Sequence, residues 1–381
     1  MTKFAKISLV AAVAVAGLTT ANAQPLEEAI KGVDVSGMLR YRYDDTQNQL
    51  TDASTQTNEY TMKIATKAKV NDAVTANVQV EALGVSDISS SDAHATSDAT
   101  GDRDVTLSVT KANFAVNLAG ATVIAGKQSV PSPFVDNWND DVTRGTGAVA
   151  LVPAGPVTIA AGYFSNFQRA EAATNSGANI TAAAVLGSVA GVNFDVWYAD
   201  VANTVNGVSV GLNTTIAGVN IDARHTDVDY DAAATKDPTL TKVVASTKVG
   251  PVTVVAGYGH TNKSTASVDF DGDNDAKVDM RLWQASLSTL SDADAYLIGA
   301  AMEVLPSVTL DAKYLVVDFN GAAAEAAATG TDATELLVGA TYAMSKNFSV
   351  HARYSEYKVE NAAGTKLVDS DKGRLEVKYT F

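Results

Sequence analysis

The chain has 381 residues, a formal net charge of −15 and no cysteine. An acidic balance of that size argues against a nucleic-acid partner, whose phosphates attract basic faces. Without cysteine there is no disulfide, no thiol nucleophile and no thiolate metal site.

Met1 to Lys6 carry two lysines, Ile7 to Leu18 are mostly apolar, and Ala21-Asn22-Ala23 has the small-x-small form of a cleavage site. That order reads as a secretory signal peptide over residues 1–23, leaving a single domain at 24–381. Neither this stretch nor any later run approaches the about 20 apolar residues that a membrane helix needs. Within lipid only helices and closed barrels satisfy their own backbone, so the exported chain is expected to be soluble or a barrel. Residues 26–31 can form one helical turn with no assigned role.

From there period two replaces any helical period. Val35, Gly37, Leu39, Tyr41 and Tyr43 alternate with Ser36, Met38, Arg40 and Arg42. Val74, Ala76, Val78 and Val80 alternate with Thr75, Asn77, Gln79 and Glu81. The same pattern returns at Val192 to Ala199 and at Asn347 to Ser355, and it closes the chain from Arg374 to Phe381. Segments of roughly ten residues, apolar on one face and polar on the other, suit tilted strands that cross the hydrocarbon layer. Tyr41, Tyr60, Tyr163, Tyr198, Tyr258, Tyr314, Tyr342, Tyr354 and Tyr379 fall near the ends of such segments, where an interfacial girdle places aromatics.

The connections alternate between short and long. Ala119-Gly120, Ala190-Gly191, Ala217-Gly218 and Val249-Gly250-Pro251 are short. Residues 45–57, 86–102, 129–144, 169–177, 231–238, 264–292, 320–331 and 360–370 are long, polar and rich in Asp, Ser, Thr, Asn and Ala. This sorting predicts an all-β, transmembrane, antiparallel up-and-down barrel of about eighteen strands, with sixteen as the alternative count. Residues 277–289 also alternate weakly; counted as a strand they break parity, so they are assigned to a long external loop. A barrel of this size leaves an aqueous channel.

Two stretches carry a resemblance. The chain closes on Lys378-Tyr379-Thr380-Phe381, similar to the terminal aromatic signature of bacterial outer-membrane proteins. Pro25-Leu26-Glu27-Glu28-Ala29-Ile30-Lys31, then Val33-Asp34-Val35-Ser36-Gly37-Met38-Leu39-Arg40-Tyr41-Arg42-Tyr43-Asp44, resembles the start of the Campylobacter-type major outer membrane protein family. The resemblance implies an eighteen-stranded homotrimeric porin in the Gram-negative outer membrane, with an inward-folded third loop and bound calcium. Beyond the first strand the likeness lies in architecture, and the loops here are shorter and richer in Ala, Thr and Asp.

The third long loop, 129–144, is the candidate constriction. Unlike the others it carries apolar bulk, in Pro131, Phe134, Val135 and Trp138, which suggests that it packs against the barrel wall. Asp136, Asp140 and Asp141, with Arg144 at its end, would supply charge at the narrowest point. The facing wall would come from Arg40, Arg42, Lys63, Glu81 and Arg353, all on polar strand faces, where a wet lumen holds charge cheaply. An ordinary solvated lumen without a transverse field is the plainer alternative. Asp269, Asp271, Asp273 and Asp275 offer hard oxygen ligands for calcium, but Gly272 and Met280 stand where a calcium loop has other residues, and a solvated acidic tip is the plainer reading.

Enzymatic motifs are missing. His94, His225, His260 and His351 are isolated, and neither Gly-x-Ser-x-Gly nor Gly-x-x-x-x-Gly-Lys occurs. The expected function is passive diffusion of ions and small hydrophilic solutes through water, with cations preferred because the chain is acidic. The alternatives are a structural or adhesive surface barrel without an open lumen, and a substrate-specific channel lined by aromatics such as Trp197 and Trp283.

Overall fold

The computed structural model describes residues 32–89, 106–136, 143–168, 178–231, 237–264, 266–271, 275–322 and 329–381. The expected signal peptide and the possible turn at 26–31 lie outside these residues.

Alternating sequence becomes eighteen strands. In chain order they are β1 (Val33–Asn48), β2 (Ala53–Lys69), β3 (Val74–Ser89), β4 (Thr106–Leu118), β5 (Ala121–Ser129) and β6 (Arg144–Ala154). Then come β7 (Val157–Gln168), β8 (Ile180–Val189), β9 (Val192–Val201), β10 (Val205–Ile216), β11 (Val219–Tyr230) and β12 (Thr239–Val249). The last six are β13 (Val252–Thr261), β14 (Ala293–Leu305), β15 (Val308–Ala322), β16 (Thr329–Ala343), β17 (Phe348–Glu360) and β18 (Lys366–Thr380). Each pairs antiparallel with its sequence neighbours, and β1 pairs with β18 from Met38↔Thr380 to Asn48↔Ser370. The sheet is therefore closed and has no free edge.

The register decides which face each side chain takes. Arg42 on β1 lies opposite Glu376 on β18, and both point inward with Arg40, Asp44 and Arg374. Their neighbours Leu39, Tyr41, Leu375 and Tyr379 point outward and are exposed, as are Leu107 at 63 % and Ile298 at 62 %. Large apolar side chains are exposed on the outside of nearly every strand. Such a belt suits hydrocarbon and would be a heavy liability in water. Outer-face tyrosines stand toward the long-loop end (Tyr258, Tyr296) and toward the short-turn end (Tyr342, Tyr379).

The tight turns have a common form. Ala119-Gly120, Ala190-Gly191 and Ala217-Gly218 each place two successive residues at positive φ, with the alanines near 50° (49°, 51° and 49°). This twist matches that of the flanking strands. Alanine pays for the left-handed region where asparagine does not, by about 1 kcal/mol per residue. Replacing all three alanines by asparagine should therefore raise the urea midpoint of the folded barrel; an unchanged midpoint would mean that the turns are already relaxed.

At the seam, Phe381 exchanges backbone hydrogen bonds with Gly37, at 2.9 and 3.1 Å. A Cβ on residue 37 would come within 2.4 Å of the Phe381 ring. The glycine is the seat of the terminal aromatic.

The principal core sits inside the barrel. Val130, Phe134, Val228, Leu240, Leu287 and Leu315 are among its buried members, and they come from walls and loops together. Residues 277–289 were expected in an external loop, and here the structure corrects the sequence. They belong to a second loop, between β13 and β14, that folds into the lumen and buries Val278, Met280 and Leu287. The weak alternation of this stretch reflects apolar side chains packing on the inner wall rather than a strand.

Candidate pore site

The loop after β5 turns inward at once. Val130, Phe134 and Val135 have no exposed surface. The second inward loop meets it face to face: the rings of Phe134 and Phe270 stack with centroids 4.5 Å apart and planes 11° apart. Backbone bonds fasten the pair. The N–H of Phe270 donates to the Phe134 carbonyl at 2.8 Å, and that of Val278 to the Pro133 carbonyl at 3.1 Å. The Asp271 carboxylate accepts from the Asp136 N–H at 2.7 Å and the Thr143 hydroxyl at 2.6 Å. The two loops form a single shelf inside the barrel.

The far end of the shelf is pinned to the opposite wall. Glu335 on β16 is fully buried. Its carboxylate accepts the backbone N–H groups of Trp283 (3.1 Å), Gln284 (3.0 Å) and Ala285 (2.7 Å) and the Ser355 hydroxyl (2.6 Å). The Gln284 amide also donates to Ser355 at 3.0 Å and accepts from the Ser370 hydroxyl at 2.9 Å. On the β12 side, the Lys242 ammonium donates to the carbonyls of Lys277 and Asp279. Burial pushes the Asp279 carboxyl above its ordinary range, and bonds from the Ser286 hydroxyl and the Ser288 N–H oppose that rise.

Facing the shelf is a wall of charges from β1–β3, β6, β17 and β18. Arg40 donates to Glu59 at 2.5 Å, Arg42 to Glu376 at 2.5 Å, and Arg374 to both oxygens of Asp44 at 2.5 and 2.6 Å. Glu81 takes Arg144 at 2.9 Å and Lys63 at 3.5 Å. Trp283, at the tip of the shelf, is ringed by cations: Arg353 at 3.6 Å from the ring centroid, Lys372 at 4.9 Å and Arg374 at 5.2 Å. Among the described residues, Arg353 and Lys372 have no carboxylate within ion-pair distance.

Arg40, Arg42, Lys63, Glu81 and Arg353 thus all line the inner face, and the register brings them together with Asp44, Glu59, Lys372, Arg374 and Glu376. Asp136 is buried within its loop at 1 % exposure, and Arg144 opens β6 paired with Glu81. Asp140 and Asp141 lie outside the described residues. Sequence reasoning missed Glu335, although a lone carboxylate on the inward parity of an apolar strand is a readable signal.

The described carboxylates of the acidic run are engaged by other partners. Asp269 accepts the hydroxyls of Ser267 (2.6 Å) and Ser288 (3.2 Å), Asp271 is committed to the first loop, and Asp275 pairs with Arg281 at 2.6 Å. Asp273 lies outside the described residues. Among the described residues no three His, Asp or Glu side chains gather as metal ligands.

A family model described as Campylobacter major outer membrane protein matches residues 2–205, more than half of the chain. The protein belongs to that family. No curated protein matches it. Among solved structures, Pseudomonas aeruginosa OpdQ is similar with a TM-score of 0.74 at 14 % identity, covering 92 % of this chain and 98 % of its own. Pseudomonas aeruginosa OccK5 (OpdH) gives 0.73 at 13 %, covering 92 % and 98 %. Acinetobacter baumannii OccAB1 gives 0.73 at 13 %, covering 92 % and 96 %. At such identities the likeness is one of fold. Membership of the major outer membrane protein family, together with that fold, places the chain in the outer membrane as a porin-type barrel and not as an enzyme.

Proposed function

We propose that the protein is an open diffusion channel, passing ions and small hydrophilic solutes through water. One observation carries this reading. Arg42, Glu376, Asp44 and Arg374 keep 13–18 % of their side-chain surface accessible inside the barrel. A lumen sealed by packing would have to desolvate these ions, at a cost of several kcal/mol each. Purified protein in planar bilayers should give stepwise conductance. An absence of steps from folded protein would favour the structural or adhesive alternative.

A cation preference is the finer part of the proposal. It is supported by the net charge of −15 and by acidic long loops, which raise the local concentration of cations at the mouth. Most wall charges are paired and cancel; Arg353 and Lys372 oppose the preference. Under a salt gradient the reversal potential should lie on the cation side. It should move toward neutrality in Asp140→Asn/Asp141→Asn and further toward cations in Arg353→Gln/Lys372→Gln. A starting value on the anion side would overturn the preference.

A homotrimer and a signal peptide cleaved before Gln24 complete the proposal. Both are supported by the resemblance and by the N-terminal sequence. The mass of the detergent-extracted complex and of its first tryptic peptide test them.

A further inference from the structure

The lumen holds a cavity for which the passage of ions has no use. Between the first inward loop and the wall of β6–β9 lies a space of about 220 Å³ bounded by Pro131, Val149, Leu151, Phe164, Leu186 and Trp197. Pro131, Leu186 and Trp197 also border a second space of about 350 Å³, reached by Ser129, Ser132, Asp195 and Lys277. The two meet at Pro131, Leu186 and Trp197, and the first is dry where the second is polar. A smaller cavity lined by Leu, Ile and Phe stays dry and takes up benzene, so the dry lobe is large enough for an aromatic ring. Trp197 supplies a face or edge for that ring.

The sign of the polar lobe follows from its ion pairs. Arg224 on β11 reaches across β10 and donates to both oxygens of Asp195, at 2.7 and 2.8 Å. The residue between them is Gly211, where a Cβ would fall 2.1 Å from the guanidinium and 2.5 Å from the carboxylate. Asp195 is therefore neutralised by a partner that only glycine lets through. Lys277 is left 53 % exposed and 3.7 Å from Asp195, a loosely held cation at the pocket's mouth.

We infer that this pocket is a retention site for small aromatic anions, with the ring in the dry lobe beside Trp197 and the anionic group at Lys277. It rests on the channel reading for access from the lumen. Its consequence is discrimination among the anions that enter: ring-bearing ones dwell, aliphatic ones pass.

The test uses the folded, full-length protein with phenylacetate, acetate and benzylamine as probes. Saturation-transfer NMR should detect phenylacetate, with acetate and benzylamine much weaker, and phenylacetate should interrupt single-channel current. Ala184 on β8 also lines the dry lobe, and Ala184→Leu, which fills it, should lower phenylacetate affinity about ten-fold. Lys277→Gln, at an exposed position, should lower it about three-fold and erase the advantage over benzylamine. Heat-dependent gel mobility reports whether each variant is folded. Equal binding of acetate and phenylacetate, or affinity unmoved in both variants, would overturn the site. Ring-selective binding without conductance would sink the channel reading and leave the site standing; conductance without ring-selective binding would do the reverse.

Discussion

Glu335→Ala should raise single-channel conductance and open-channel noise more than any other single change in the lumen. The carboxylate is the common acceptor for three consecutive N–H groups and the Ser355 hydroxyl. Removing it leaves these donors unpaired in a buried place, a loss of about 3 kcal/mol or more when the acceptor is charged. The strand ladder does not depend on this anchor, so the barrel should remain closed while the tip of the shelf, with Trp283, leaves the wall. Glu335→Gln should fall between the two, since its amide keeps one acceptor but turns a donor toward donors. The measurement is conductance together with hydrogen exchange at residues 280–290. Wild-type conductance and unchanged exchange in a folded Glu335→Ala protein would show that the loop is held by its other contacts.

Phe134→Ala is the second large effect. Truncating a fully buried phenylalanine costs about 3–5 kcal/mol. Here the loss falls on the join between the two inward loops, because the ring stacks on Phe270 and has no exposed surface. Proteolysis and exchange should therefore accelerate at 130–136 and 266–271 together, with β1–β4 unaffected. Phe270→Ala should produce the same phenotype, and the double variant should be milder than the sum of its parts by about 1 kcal/mol, the worth of the aromatic pair. Full additivity would mean that the two loops fold into the lumen independently.

These two residues mark the limit of what the sequence made legible. Period-two alternation exposed the strands, and the sorting of connections exposed the closed sheet, because both are local and each repeats along the chain. Phe134 could be found because apolar bulk is conspicuous in a loop otherwise made of Pro, Ser, Asn and Asp. The second inward loop was not legible for the opposite reason. Its Val268, Phe270, Val278 and Met280 are diluted by six Asp and Asn between residues 269 and 279, a composition that reads as solvated. What turns that loop inward lies elsewhere in the chain, in Lys242 on β12 and Glu335 on β16.

The wall divides in the same way. Arg40, Arg42, Lys63, Glu81 and Arg353 follow from parity, since an apolar outer face forces the intervening residues inward. Their pairing does not, because Arg42 and Glu376 are 334 positions apart and meet only through the β1–β18 register. The Arg224–Asp195 pair is subtler still: it spans two strand spacings over Gly211, and nothing about a glycine in a strand announces that a side chain will cross it.

The terminal Phe381 resting on Gly37 also dictates an order of events. The first strand cannot find its second partner until the final residues have arrived, so through most of assembly the growing sheet carries two raw margins able to recruit stray chains. Bringing such remote ends together from an unstructured polymer would cost about 5 kcal/mol of entropy, whereas a sheet already curled hairpin by hairpin delivers one margin to the other. Zipping this seam is thus the natural point of commitment in biogenesis, and a chain that lost the whole of β18 would be left open rather than merely weakened.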